Sequence, residues 1–221
     1  MMNYSKLFAL CLGVIFLGCK QKTNLKQGLE NKSEKTTLVN NSTDKEEIQN
    51  LIREVLNWSN SNKSIDLLPI MTINNDSICS GFDYVKHKSN LEKLKTTNFF
   101  AEEFIENYDH IIKTLDKKLK NKELAPWNVN ELPTFSFASD IDPWSLSQDV
   151  PYDKPSPWDF VEINIINLDK GEINWKWGNL PTDSDQSWKD FNYHFRVVKE
   201  NNKWKIAYLQ GFDFNESTHG S

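Results

Sequence analysis

Cysteine is scarce, with three in 221 residues. Cys11 and Cys19 belong to an N-terminal apolar run, so Cys79 stands alone in the rest of the chain and an internal disulfide is excluded. A lone cysteine with no base near it in sequence reads as a small buried apolar residue rather than a nucleophile. There is no phosphate-cradling glycine loop, no dinucleotide glycine pattern, no Cys/His set at zinc spacing and no nucleophile elbow. Positive charge is not in surplus either. The net charge is −5, which argues against a nucleic-acid partner, since that would call for a basic patch. The lysines at 117, 118, 120 and 122 close a predicted helix, where cations favour the helix dipole. The longest apolar run, residues 7–17, is too short to cross a bilayer.

That run has a different use. Residues 1–6 carry one positive charge, Lys6, and with the apolar run they form the n-region and h-region of a secretory signal over 1–18. The end of the run, Phe16-Leu17-Gly18-Cys19, resembles the lipobox of bacterial lipoproteins. In that family the cysteine is acylated through its thiol and becomes the mature N-terminus. The resemblance implies a lipid on Cys19, attachment to a membrane through it, and residence at the outer membrane facing the periplasm or the cell surface.

Residues 19–42 are rich in Lys, Asn, Gln, Glu and Thr and nearly free of large apolar side chains. Such a segment cannot bury enough surface to offset its ordering entropy, so it reads as a disordered tether. Residues 43–215 suit a single domain by length, with 216–221 as a loose tail.

The first half of that domain reads as helical. Thr43 and Glu46 form a capping-box signature, followed by Ile48, Leu51, Ile52, Val55 and Trp58 at helical spacing, which predicts a helix over 44–59. Pro69 and Asn74-Asn75 break the next stretch into short extended or turn structure. Ser89 and Glu92 predict a short helix over 90–95, and Asn98 a cap for a longer one over 99–121. The stripe of that longer helix is Phe100, Phe104, Ile105, Tyr108, Ile111, Ile112, Leu115 and Leu119. His110 lies off the stripe and reads as a surface or packing residue.

The last quarter is a meander. Val161, Ile163 and Ile165 alternate with polar residues, as do Ile173, Trp175 and Trp177, then Tyr193, Phe195 and Val197, then Trp204, Ile206 and Tyr208. Period-two alternation marks strands with one buried face, and turn signals at 169–171 and 201–202 separate them. A further strand is expected over 132–138, with Phe135 and Phe137 inward. The fold class is therefore α+β, with N-terminal helices packed on a curved antiparallel sheet.

Residues 139–157 form a long loop with four aspartates and four prolines. A loop of this length in a compact domain is functional or mobile. Asp140-Ile141-Asp142-Pro143 lacks the glycine and terminal glutamate of a calcium loop, so it reads as solvated, with no metal expected. Of eight tryptophans, those on the strand period, Trp175, Trp177 and Trp204, read as core. Trp144 and Trp188 fall in loops, where an exposed aromatic is suited to contacting a partner. Trp144, Trp188, Asp140 and Asp142 are the candidate contacts. No catalytic residue and no cofactor is indicated.

The order of helices, then a meander closed by Phe195-Arg196-Val197-Val198-Lys199, the Asn201-Asn202 turn and Lys203-Trp204-Lys205-Ile206, resembles the nuclear transport factor 2-like (NTF2-like) superfamily. The layout is also similar to uncharacterised lipoproteins of Bacteroidota-type bacteria. The resemblance implies a cone-shaped α+β domain. That superfamily holds non-catalytic binding modules as well as enzymes with Asp/His pairs inside the cone. His194 alternates away from Tyr193 and Phe195, so the spacing supplies no such pair. The expectation is a lipid-anchored binding domain for a protein or small ligand, of the inhibitor or immunity kind. The alternative is a small-molecule enzyme with an acid/base pocket in the cone.

Overall fold

The computed structural model describes residues 30–72, 77–152 and 156–220, with side chains from Ser42 onward. The signal, Cys19 and most of the tether lie outside the described residues. The chain divides into two units, Met1–Val39 and Asn40–Ser221; apart from the bounds of the first helix, the account below concerns the second.

Helix α1 spans Glu30–Ser59. It begins well before Asp44, so Thr43 and Glu46 sit inside it rather than at its start. Extending an existing helix adds one bond per residue fixed and avoids the cost of nucleation. Its apolar face buries Ile48, Leu51, Ile52, Val55 and Leu56. Strands β1 (Ile70–Thr72), β2 (Ile78–Phe82) and β3 (Trp127–Asn128) form a small antiparallel sheet in the order β1-β2-β3.

Helix α2 spans Tyr84–Thr97, longer than the 90–95 expected. Its cap is Asp83, whose carboxylate accepts the amides of Val85 and Lys86, and not Ser89. Asn98, expected to open the next helix, ends this one in the left-handed region at φ 59°. Helix α3, Glu102–Lys120, starts without a side-chain cap. Its whole expected stripe is buried, with Phe104, Tyr108, Ile111, Ile112 and Leu115 at 0% exposure. Acidic residues open α3 and lysines close it, as the dipole favours. Residues 132–138 do not form a strand; Phe135 makes a single bridge to Gly220, and both phenylalanines are buried.

The meander is as the alternation predicts. Strands β4 (Val161–Asn167), β5 (Glu172–Trp177), β6 (Tyr193–Glu200) and β7 (Lys203–Leu209) pair antiparallel in chain order. Gly171 turns β4 into β5 at φ +67°, where a β-carbon would stand 1.9 Å from the Val197 carbonyl oxygen. Asn201 and Asn202 both take positive φ, as a two-residue hairpin turn requires. One register break matters. Arg196 pairs Tyr208 but Val197 pairs Ile206, so Ala207 is the extra residue of a bulge. Leu209 therefore faces the core opposite Phe195, and Tyr208 shares its face with Arg196 rather than with Ile206.

Backbone partners lie along both edges of this sheet. At β7, the Ala101 amide donates to the Ile206 carbonyl at 2.8 Å and the Ile206 amide to the Phe99 carbonyl at 2.8 Å. At β4, Arg53 Nε of α1 donates to the Val161 carbonyl at 3.0 Å, and Gln49 Oε1 accepts the Ile163 amide at 3.4 Å. Trp204 is half-buried rather than fully in the core as its strand period suggests, and its indole N–H donates to Asp44 of α1 at 2.9 Å. The short helix α4 spans Gln186–Asp190. The chain end is not a loose tail: α5, Phe214–Thr218, buries Ser217 and Thr218 and lies against α3.

Candidate functional site

Among the described residues, buried side chains occupy the space between the helices and the meander. Ile173, Trp175, Tyr193 and Phe195 on the sheet are wholly buried. The rings of Trp175 and Tyr193 stack with centroids 5.5 Å apart, Trp158 stacks on Trp177 at 5.5 Å, and Phe191 lies 4.8 Å from Trp175. On the helical side Phe100 stacks on Phe104 at 4.6 Å. The placement of Trp175 and Trp177 in the core agrees with their strand period.

The long loop contributes to that filling, which overturns the expectation for Trp144. Its side chain is 3% exposed and meets Trp58, Phe100, Phe104 and Phe212, with ring centroids 4.6–6.1 Å away. An indole buries more apolar area than almost any other side chain, so a loop that can fold it inward gains by doing so. The loop is held in place by its backbone. The Tyr193 hydroxyl donates to the Pro143 carbonyl at 2.9 Å and accepts the Gly211 amide at 3.1 Å. A β-carbon on Gly211 would stand 2.0 Å from the Pro143 oxygen, so only glycine lets the two backbones approach.

The other candidate contacts divide. Asp142 turns inward: its Oδ1 accepts the Trp144 amide at 3.0 Å, and its carbonyl accepts the Leu146 amide at 2.7 Å. Burial raises its carboxyl above the ordinary value, against the lowering effect of the Trp144 amide. It shapes the turn that inserts Trp144. Asp140 is exposed, and Trp188, on α4, is half-buried and packed on the core. The structure thus brings Asp140 and Asp142 to one loop and leaves Trp188 elsewhere.

Asp140 borders an open cleft of about 470 Å³. One wall is the loop, with Ile141, Pro143 and Leu146; the other is Gln210, Gly211, Glu216 and Ser217. Two residues that line it, Ala138 and Leu146, take left-handed backbone at φ 51° and 49°. Such conformations cost on the order of 1 kcal/mol or more in a residue with a β-carbon and gather where a loop must hold a set shape. Sequence reasoning missed the second wall, because 216–221 read as a tail. A second cleft, about 480 Å³, lies between α1 and β4 and carries both signs of charge, Lys45 and Arg53 with Glu46 and Glu162.

An Asp/His pair is present, on the helices rather than on the strands. His87 of α2 and Asp109 of α3 meet at 2.9 Å (Nε2 to Oδ1), and Lys113 donates to the other Asp109 oxygen at 2.6 Å. Burial works to raise the Asp109 carboxyl; the hydrogen bonds from Lys113 and His87 outweigh it and hold it below the usual range. His87 is 2% exposed and its Nδ1 has no partner among the described residues. Two turns on, Asp116 accepts the Phe82 amide at 3.2 Å, the Tyr84 hydroxyl at 2.8 Å and the Lys120 ammonium at 2.5 Å. Burial and Asp116 push the Tyr84 hydroxyl up to about 12. These bonds tie α2 and β2 to α3. A general acid or base must reach its substrate within hydrogen-bond distance, and the buried His87 ring offers no such approach.

His194 lies on the outer sheet face, Nδ1 to Asn174 Oδ1 at 3.0 Å, away from any carboxylate partner among the described residues. His110 is exposed and stacks on Phe214 at 4.3 Å, a packing role as its place off the stripe suggests. Cys79 is fully buried, and that burial raises its thiol. Among the described residues no three His, Cys, Asp or Glu side chains gather as a metal-binding group, and no helix is long and apolar enough to cross a membrane. No family model, no curated protein and no solved structure matches the chain.

Proposed function

We propose that this chain is a lipid-anchored binding domain of the cell envelope, without catalytic activity, that holds a protein or small-molecule partner at the cleft beside its long loop. The single observation that carries the reading is the filled interior. An enzyme of the cone type needs a chamber in which two titratable groups face a substrate. Here the corresponding space is occupied by Trp144, Trp175, Tyr193 and Phe195, and polar groups meet solvent at the loop instead. The α+β order, helices followed by a four-stranded meander, supports the NTF2-like resemblance at the level of architecture. The acidic net charge suits a basic partner, as an inhibitor or immunity protein would meet.

The rival reading is a small-molecule enzyme. The His87–Asp109 pair favours it, and its burial weighs against it. The lipid on Cys19 and the outer-membrane address belong to the proposal through the lipobox resemblance alone.

The test is cross-linking in intact cells. A photoreactive residue replaces Ile141 at the cleft, and in a parallel strain Asn164 on the outer sheet face. The binding reading expects a discrete adduct from position 141 and none from 164. No adduct, or the same ladder from both positions, would sink it.

A further inference from the structure

The loop cleft and the cleft between α1 and β4 differ in charge. That between α1 and β4 carries both signs, whereas the loop cleft carries one. Asp140 stands on its loop wall and Glu216 on its α5 wall, both exposed. Neither carboxylate is within salt-bridge distance of a cation among the described residues. No Lys, Arg or His lines the cleft, and Lys118 of the adjacent α3 is held by the Thr218 carbonyl at 2.6 Å. The lining also holds the apolar side chains of Ile141, Pro143 and Leu146, beside the polar Ser139, Gln210 and Ser217.

Resting on the binding-domain reading, we infer that this cleft receives a lysine or arginine side chain presented by a protein partner. The aliphatic stem lies along Ile141, Pro143 and Leu146, and the cationic head ends between Asp140 and Glu216. Lys and Arg are the side chains that combine an apolar stem with a charged tip, so they match a wall of this pattern. Charge attraction in a partly desolvated cleft exceeds that in open water, and two like charges at the rim repel an anionic ligand. The cleft is open to solvent on one side, which suits a side chain delivered from a surface. Its walls are fixed before the partner arrives. The Tyr193 hydroxyl holds Pro143, and Gly211 packs directly on the Pro143 backbone. A preformed cleft loses less entropy on binding than a loose one.

The test is an amide chemical-shift titration of the ¹⁵N-labelled full chain in detergent micelles. The probes are acetyl-Gly-Lys-Gly-amide, its Arg and Glu counterparts, and butylammonium as a free amine of the same charge and stem. The Lys and Arg peptides are expected to shift Ile141, Leu146 and Gly211 saturably, and the Glu peptide to leave them unmoved. The doubly substituted Asp140→Asn, Glu216→Gln chain, altered at two exposed positions, is expected to bind the basic peptides about tenfold more weakly, as for loss of charge-assisted contacts. Unchanged affinity in that variant overturns the inference, as do shifts spread evenly over all acidic surface residues. Butylammonium binding as tightly as the Lys peptide overturns the assignment to a protein partner. A discrete adduct at position 141 in cells with no basic-peptide binding would reject this chemistry and leave the binding-domain reading standing.

Discussion

The Tyr193 hydroxyl, on the second-last strand, donates to the carbonyl of Pro143, fifty residues earlier in the long loop, at 2.9 Å. It is wholly buried, and its other side accepts the Gly211 amide. One phenol thus settles two backbone groups that would otherwise be orphaned. Tyr193→Phe keeps the ring and removes the hydroxyl. It is expected to cost about 1–3 kcal/mol, the penalty of a buried group left without a partner. Urea unfolding measures it, and an unchanged midpoint would show that the loop does not depend on this bond.

Gly211→Ala tests the same junction by bulk. The added methyl would meet the Pro143 oxygen at 2.0 Å, against backbone that cannot rotate away. Overpacking of this kind costs about 1–3 kcal/mol or more. The summed tryptophan emission should shift red as Trp144 is exposed by the lifting loop. An emission spectrum and melting temperature equal to the parent's would contradict the close approach.

Trp144→Ala removes an indole from between Trp58, Phe104 and Phe212. The expected loss is about 3–5 kcal/mol, as for other buried aromatic truncations. Thermal unfolding is the measurement. A loss below about 0.5 kcal/mol, the range of surface changes, would return Trp144 to the solvent.

Acid sensitivity has two opposing sources. Burial works to raise the carboxyls of Asp109 and Asp44, but the bonds from Lys113 and His87 to the first, and from Trp204 and Lys199 to the second, hold both below the ordinary 3.8. A carboxyl depressed in the folded state contributes stability above 3.8 that is lost as pH falls through its folded value. Asp109→Asn should therefore flatten the fall in urea midpoint below about pH 4. Asp142 is raised by burial, so its contribution has the other sign: folding weakens as pH climbs from 3.8 through its folded value. Asp142→Asn keeps an oxygen for the Trp144 amide and should unfold at a higher midpoint than the parent at neutral pH. A lower midpoint would show that its charge is needed.

The meander was legible because alternation is local: Ile173, Trp175 and Trp177 announce their face without knowledge of any partner strand. The bulge at Ala207 was not, because nothing in Trp204-Lys205-Ile206-Ala207-Tyr208-Leu209 marks the added residue, and Tyr208 changes face with it. Helix starts were misplaced where two cap-like residues competed. Asp83 and Ser89 both suit a cap, and only Asp83 stands where the first free amides are. Trp144 reads as exposed in the sequence because of its polar neighbours and prolines, while the partners that bury it come from three distant segments. The cleft was half legible. Asp140 shows in the sequence, but Glu216 faces it only because α5 packs on α3.

The partners at the two borders of the meander have a consequence for recognition. Phe99–Ala101 occupies the outer backbone of β7 at Ile206, and Gln49 and Arg53 occupy that of β4 at Val161 and Ile163. At those positions neither a visiting peptide nor a second copy can extend the sheet by main-chain pairing without displacing these partners. Recognition at Val161, Ile163 and Ile206 therefore falls to side-chain chemistry rather than to strand pairing.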